Sequence, residues 1–162
     1  MISLDNRQHR DSNLGEEWSR CFYRRTQGTI VPRRILLAEC DCEQLASRGH
    51  ALEHTGYEVI SCHDCGAVKR FLQWMIDARS DRPLIDLMIC DINLLDDAVV
   101  DTIAAQQNMQ TFPPLILINA CASSQALQRI ARLKSRGSFD QSHSQQRQLA
   151  FVRQLVPYPT NC

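Results

Sequence analysis

Residues 33–156 predict an α/β domain, a doubly wound, five-stranded parallel sheet with helices on both faces. Three observations predict it. Short, largely apolar runs recur without the alternation of a half-exposed strand, as expected for strands covered on both faces. Helix-period segments separate these runs, as the right-handed crossovers between parallel strands require. The run from Leu84 to Cys90 ends abruptly on Asp91, at the strand edge where open α/β sheets bind ligands.

Each element follows from local signals. Ile35 to Ala38 is an apolar run closing on Glu39 and reads as the first strand. A helix follows from about Cys42 to His54, because Asp41 and Gln44 are spaced as an N-cap and its partner three residues on. Gly56 stands where a helix C-terminal signal belongs. Tyr57 to Ser61 is the second strand. Val68, Phe71, Leu72, Met75 and Ile76 recur at helical spacing and mark the clearest amphipathic helix, with Asp64 as its cap.

The run to Asp91, bounded by Pro83 and the Asp96-Asp97 pair, is too short for a buried helix and makes the third strand. Val99, Val100, Ile103 and Ala104 mark the next helix, and Pro114 to Ile118 the fourth strand. Ser123 or Ser124 opens a helix carrying Leu127, Ile130 and Ala131. The fifth strand is weak, since Ser138 to Ser142 has little strand character. Leu149, Val152 and Val156 support a last helix stopped by Pro157.

A chain of 162 residues suits one domain with tails. Residues 1–32 lack sustained period and read as a mobile N-terminal arm; residues 157–162 form a C-terminal tail. Lys and Arg number 18 against 18 Asp and Glu, which leaves no whole-chain field for nucleic acid or a membrane surface. Arg20, Arg24 and Arg25 lie among Trp18, Phe22 and Tyr23, but the cluster is short and Glu16 and Glu17 stand directly before it, so a solvated arm is the simpler reading. No run reaches transmembrane length and no signal-peptide core is present, so a cytoplasmic protein with reduced thiols is expected. There is no glycine-rich phosphate loop and no internal repeat.

Over roughly residues 33–156 the chain resembles the receiver domains of two-component response regulators. The resemblance rests on Ile35 to Asp41 as an apolar strand running into acids, on Gly56 to Ile60, on Asp91-Ile92-Asn93, and on Leu115 to Ala120. It implies the flavodoxin-like strand order 2-1-3-4-5, with Glu39, Asp91 and Asn119 at one edge. It also implies bacterial two-component or phosphorelay signalling, by a protein that is no enzyme itself and meets a histidine kinase or phosphotransfer protein. In receivers the aspartate closing strand three accepts a phosphoryl group as an acyl phosphate, while Mg²⁺ neutralises the transferring charge. The resemblance therefore makes Asp91 the phospho-acceptor, gives Mg²⁺ to Glu39, Asp91 and the carbonyl of Asn93, and puts Asn119 at the switch position.

Several positions depart from the family pattern. Its paired strand-one acids are here Glu39 and Cys40, and a soft thiol suits Mg²⁺ poorly. Asp41 reads better as an N-cap than as a replacement ligand. Asn119 stands where a hydroxyl residue is usual. The lysine that closes strand five is missing, because Ser142, His143 and Ser144 lie there and neither Lys69 nor Lys134 is placed to substitute. Leu95, Ala98 and Val99 alter the loop after Asp91. The expectation is a pseudo-receiver acting through protein contacts with impaired phosphotransfer; the alternative is a working phospho-acceptor at Asp91.

Eight cysteines offer a reading of a different class. Cys40 and Cys42 follow strand one, Cys62 and Cys65 follow strand two, and the expected order makes those strands neighbours. Four thiols there could hold zinc, or Cys62 and Cys65 could form a redox pair. A Cys-x-Cys spacing is unusual for zinc, and the expected all-parallel sheet lacks the antiparallel strands of a thioredoxin-like fold. Free thiols are the expectation, with Cys90 a small core residue.

Overall fold

A computed structural model describes residues 2–3, 32–78, 80, 83–118, 123–140 and 143–157. Its elements in order are β1 (Ile2–Ser3), β2 (Arg34–Ala38), α1 (Cys42–His54), β3 (Glu58–Cys62), α2 (Cys65–Asp77), β4 (Leu87–Asp91), a 3-10 turn (Ile92–Leu94), α3 (Asp97–Gln106), β5 (Leu115–Ile118), α4 (Ser124–Ile130), β6 (Gly137–Phe139) and α5 (Gln145–Leu155). The sheet order is β1-β3-β2-β4-β5-β6, and every pair is parallel. Apart from β1, this is the expected 2-1-3-4-5.

β1 is the difference. Ile2 and Ser3 pair with Ile60 and Ser61 at the sheet edge, so two residues of the expected mobile arm form a sixth strand. Two residues are too few to show a period, which is why the sequence hides them. The aromatic and basic residues of the arm, the residues after Pro157, and Asn119 lie outside the described residues.

Side chains alternate across a strand, so each strand feeds two cores. Leu36, Ala38, Met88, Cys90, Leu115 and Leu117 pack with Phe71 and Leu72 of α2 and Val99, Val100 and Ile103 of α3. On the other face Ile35, Leu37, Ile89, Ile116 and Ile118 meet Leu45 and Leu52 of α1 and Val152 of α5. The Tyr57 hydroxyl donates to the Val156 carbonyl at 2.7 Å and ties the start of β3 to the end of α5. Gly56, at φ 94°, takes the left-handed conformation that stops α1.

One helix face is set only by the fold, and one expectation needs correction. In α4, Leu127 is 45% exposed and Ala131 is also exposed, while Ala126 and Ile130 turn inward. A helix of two turns shows too little period to say which side meets the core. The fifth strand lies at Gly137–Phe139 rather than at 138–142. Its weak strand character has a packing cause: a Cβ on Gly137 would stand 2.8 Å from the Phe151 ring, so the α5 aromatic lies directly on the β6 backbone. Phe151 also meets Phe139 edge-on, with centroids 5.8 Å apart.

Candidate functional site

The register that pairs Ala38 with Cys90 brings the ends of β2 and β4 side by side. Glu39 and Cys40, just past β2, therefore stand beside Asp91, as the sequence predicts for Glu39. Asp91 is 1% exposed. Its Oδ1 accepts the Asn93 N–H at 2.9 Å and closes the 3-10 turn, and its Oδ2 accepts the Cys40 thiol at 2.9 Å. Each oxygen of the expected phospho-acceptor thus already holds a hydrogen bond.

The thiol is a donor for a physical reason. Desolvation, then the bond to Asp91 and its charge, push the thiol of the exposed residue Cys40 up to about 12, so it keeps its proton at neutral pH. Burial also raises the Glu39 carboxyl, and the Asp91 charge adds to this; the Asp41 N–H and Arg48 act in the opposite direction. Asp41 caps α1, its Oδ1 accepting from the backbone N–H groups of Glu43 and Gln44 at 2.9 and 3.0 Å. That is the capping role the spacing predicts.

The sequence reading missed Arg48. Its side chain is 12% exposed, and its Nε stands 3.6 Å from Glu39 Oε2. One terminal nitrogen donates to Gln148 of α5 at 3.0 Å and the other faces Gln44 at 3.4 Å, which sets the guanidinium between α1 and α5. Gln44 and Arg48 are four apart on one face of α1, a spacing visible in the sequence. That Arg48 turns toward Glu39 and Gln148 is not visible there. Lys69 pairs with Asp96, and Lys134 Nζ bonds Asn108, so neither replaces the missing strand-five lysine, as expected.

Above these groups opens a cleft of about 590 Å³ lined by Glu39, Cys40, Asp91, Asn93, Arg48 and His143, among others. Among the described residues, Glu39, Cys40 and Asp91 are the only group of three or more side chains placed to share a cation. The four-thiol zinc alternative is not assembled, because Cys40 turns to Asp91 while Cys62 is buried in the core beneath α2. Cys62 and Cys65 are free thiols. Burial pushes Cys62 up to about 12 and raises Cys65 and Cys90 as well, which disfavours the thiolate form in all three. Cys90 is the small core residue expected.

The resemblance gives Mg²⁺ to Glu39, Asp91 and the Asn93 carbonyl, but the Cys40 thiol that stands with the two carboxylates is a poor ligand for that ion. Mg²⁺ is hard, keeps octahedral oxygen coordination, and gains nothing from sulfur. Among the described residues no helix is long and apolar enough to cross a membrane.

No family model and no curated protein matches this sequence. Solved structures do match it. The chemotaxis protein CheY4 of Vibrio cholerae is 18% identical with a TM-score of 0.57, over 78% of this chain and all of that one. A CheY-like receiver domain from Methanospirillum hungatei is 18% identical at 0.58, over 76% and 93%. A signal receiver domain from Bermanella marisrubri is 16% identical at 0.59, over 78% and 99%. The chain has the receiver-domain fold.

Proposed function

We propose that this protein is a pseudo-receiver: a cytoplasmic module of two-component or phosphorelay signalling that works by contacting a protein partner, has no enzymatic activity of its own, and is impaired in phosphotransfer. One observation carries the reading, the 2.9 Å hydrogen bond from the Cys40 thiol to Asp91 Oδ2. Phosphoryl transfer to a carboxylate needs a free oxygen lone pair aligned on phosphorus and a cation that bridges acceptor and phosphate. Here a neutral S–H group occupies the place of a metal-binding acid. Arg48, which lines the same cleft, stands 3.6 Å from Glu39 and bonds Gln148. A partner of the histidine kinase or phosphotransfer class fits the fold, since binding to such a protein does not require the chemistry to proceed.

The test is incubation with a small phosphodonor and Mg²⁺, read by intact mass. The wild-type chain should carry little acyl phosphate, and Cys40→Asp, which restores an all-oxygen set, should carry several-fold more. A near-stoichiometric adduct on the wild type, abolished by Asp91→Asn, would make the protein a working phospho-acceptor instead.

A further inference from the structure

We propose that Glu39, Cys40 and Asp91 form a binding site for a borderline-soft divalent cation of the zinc class, with Cys40 as its sulfur ligand. The inference concerns the same pocket as the pseudo-receiver reading and names the ion that such a pocket selects.

One ligand atom from each of the three side chains lies within 4.8 Å of the other two. Tetrahedral bonds of about 2.0 Å to oxygen and 2.3 Å to sulfur separate neighbouring ligands by about 3.3–3.5 Å. Closing the site therefore takes side-chain shifts on the order of 1 Å. The backbone that carries the ligands is well held: the Glu39 N–H donates to the Cys62 carbonyl at 3.0 Å, and Asp91 is the last residue of a central strand. The fourth direction faces the open cleft, where water or a partner's side chain can complete the coordination.

Charge and hardness agree on the ion. On binding, the thiol releases its proton to solvent and coordinates as thiolate. The ligands then carry three negative charges, Arg48 offsets one, and a divalent cation neutralises the rest. Thiolate ligation favours zinc and its neighbours in the Irving–Williams order over Mg²⁺, which competes only through oxygen. The substitution at Cys40 thus changes which metal the pocket takes, and that metal displaces the thiol proton from Asp91.

The experiment titrates the full-length reduced protein with Co²⁺ as a spectroscopic probe and then competes it with Zn²⁺ or Mg²⁺. The expected result is a thiolate-to-cobalt charge-transfer band that saturates near one equivalent, is removed by Zn²⁺, and persists in a large excess of Mg²⁺. Cys40→Ala should abolish the band and Asp91→Asn should weaken binding tenfold or more, both with an unchanged circular dichroism spectrum. Cys42→Ala and Cys65→Ala should leave it intact. Absence of the band in the wild type, its survival in Cys40→Ala, or its displacement by Mg²⁺ would overturn the proposal. None of these readouts involves a phosphodonor, so the pseudo-receiver reading stands or falls separately.

Discussion

Asp41 and Cys40 are adjacent, and the pairing of their side chains assigns them different work. Asp41 accepts two backbone N–H groups at the start of α1, whereas Cys40 donates into the acidic pocket. Asp41→Ala should therefore lower stability by about 1 kcal/mol, the usual loss of a helix cap, and Asp41→Asn should restore most of it. Urea denaturation of the two variants checks this. A metal role for Asp41 requires the opposite pattern, little change in the metal-free protein and weaker cation binding in both variants. The capping spacing was legible in the sequence. The thiol's direction was not, because a residue just past a strand end can point to either side of the sheet.

At the scale of elements, β6 is the informative case. The sequence shows almost no strand signal there, yet Gly137, Ser138 and Phe139 pair with Ile116, Leu117 and Ile118. The strand is placed by what packs on it, with Phe151 of α5 filling the space where a side chain on Gly137 would stand. Gly137→Ala should then cost about 1–3 kcal/mol through overpacking, despite the ordinary gain from removing a glycine. The unfolding midpoint measures the cost, and Phe151→Leu in the same background should recover part of it. A stabilised Gly137→Ala would show that α5 shifts freely from the sheet.

At the scale of the molecule, the thiols make the fold sensitive to alkali. Burial pushes Cys62 from its ordinary 9 up to about 12. Cys65, Cys90 and Tyr57 are also raised by burial. Between the ordinary and the raised values the folded chain keeps protons that the unfolded chain releases. Stability is thus fully present below about pH 9 and falls as pH rises toward 12, with a limiting slope of about 1.4 kcal/mol per pH unit for the buried Cys62 alone. Urea midpoints measured from pH 7.5 to 10.5 should decline, and Cys62→Ala should flatten that decline. Asp96 acts at the other end of the scale: Lys69 and the Val99 N–H lower it to about 2, so its contribution is present above its ordinary 3.8 and is lost as pH falls toward 2.

By itself the sequence determined the strands and helices from β2 to α5 apart from β6, the parallel sense of the strands, and the placing of Glu39 and Asp91 at one edge. These features rest on apolar period and one-way connections, which are local signals. The tertiary structure alone decided that Cys40 bonds Asp91 across 51 positions, that Arg48 reaches Gln148 across 100, and that Ile2 and Ser3 add a strand beside β3. Each depends on which distant segment fills a given space. A side chain at a strand end or on a helix flank has several directions open to it, and only the packing of neighbours remote in sequence selects one.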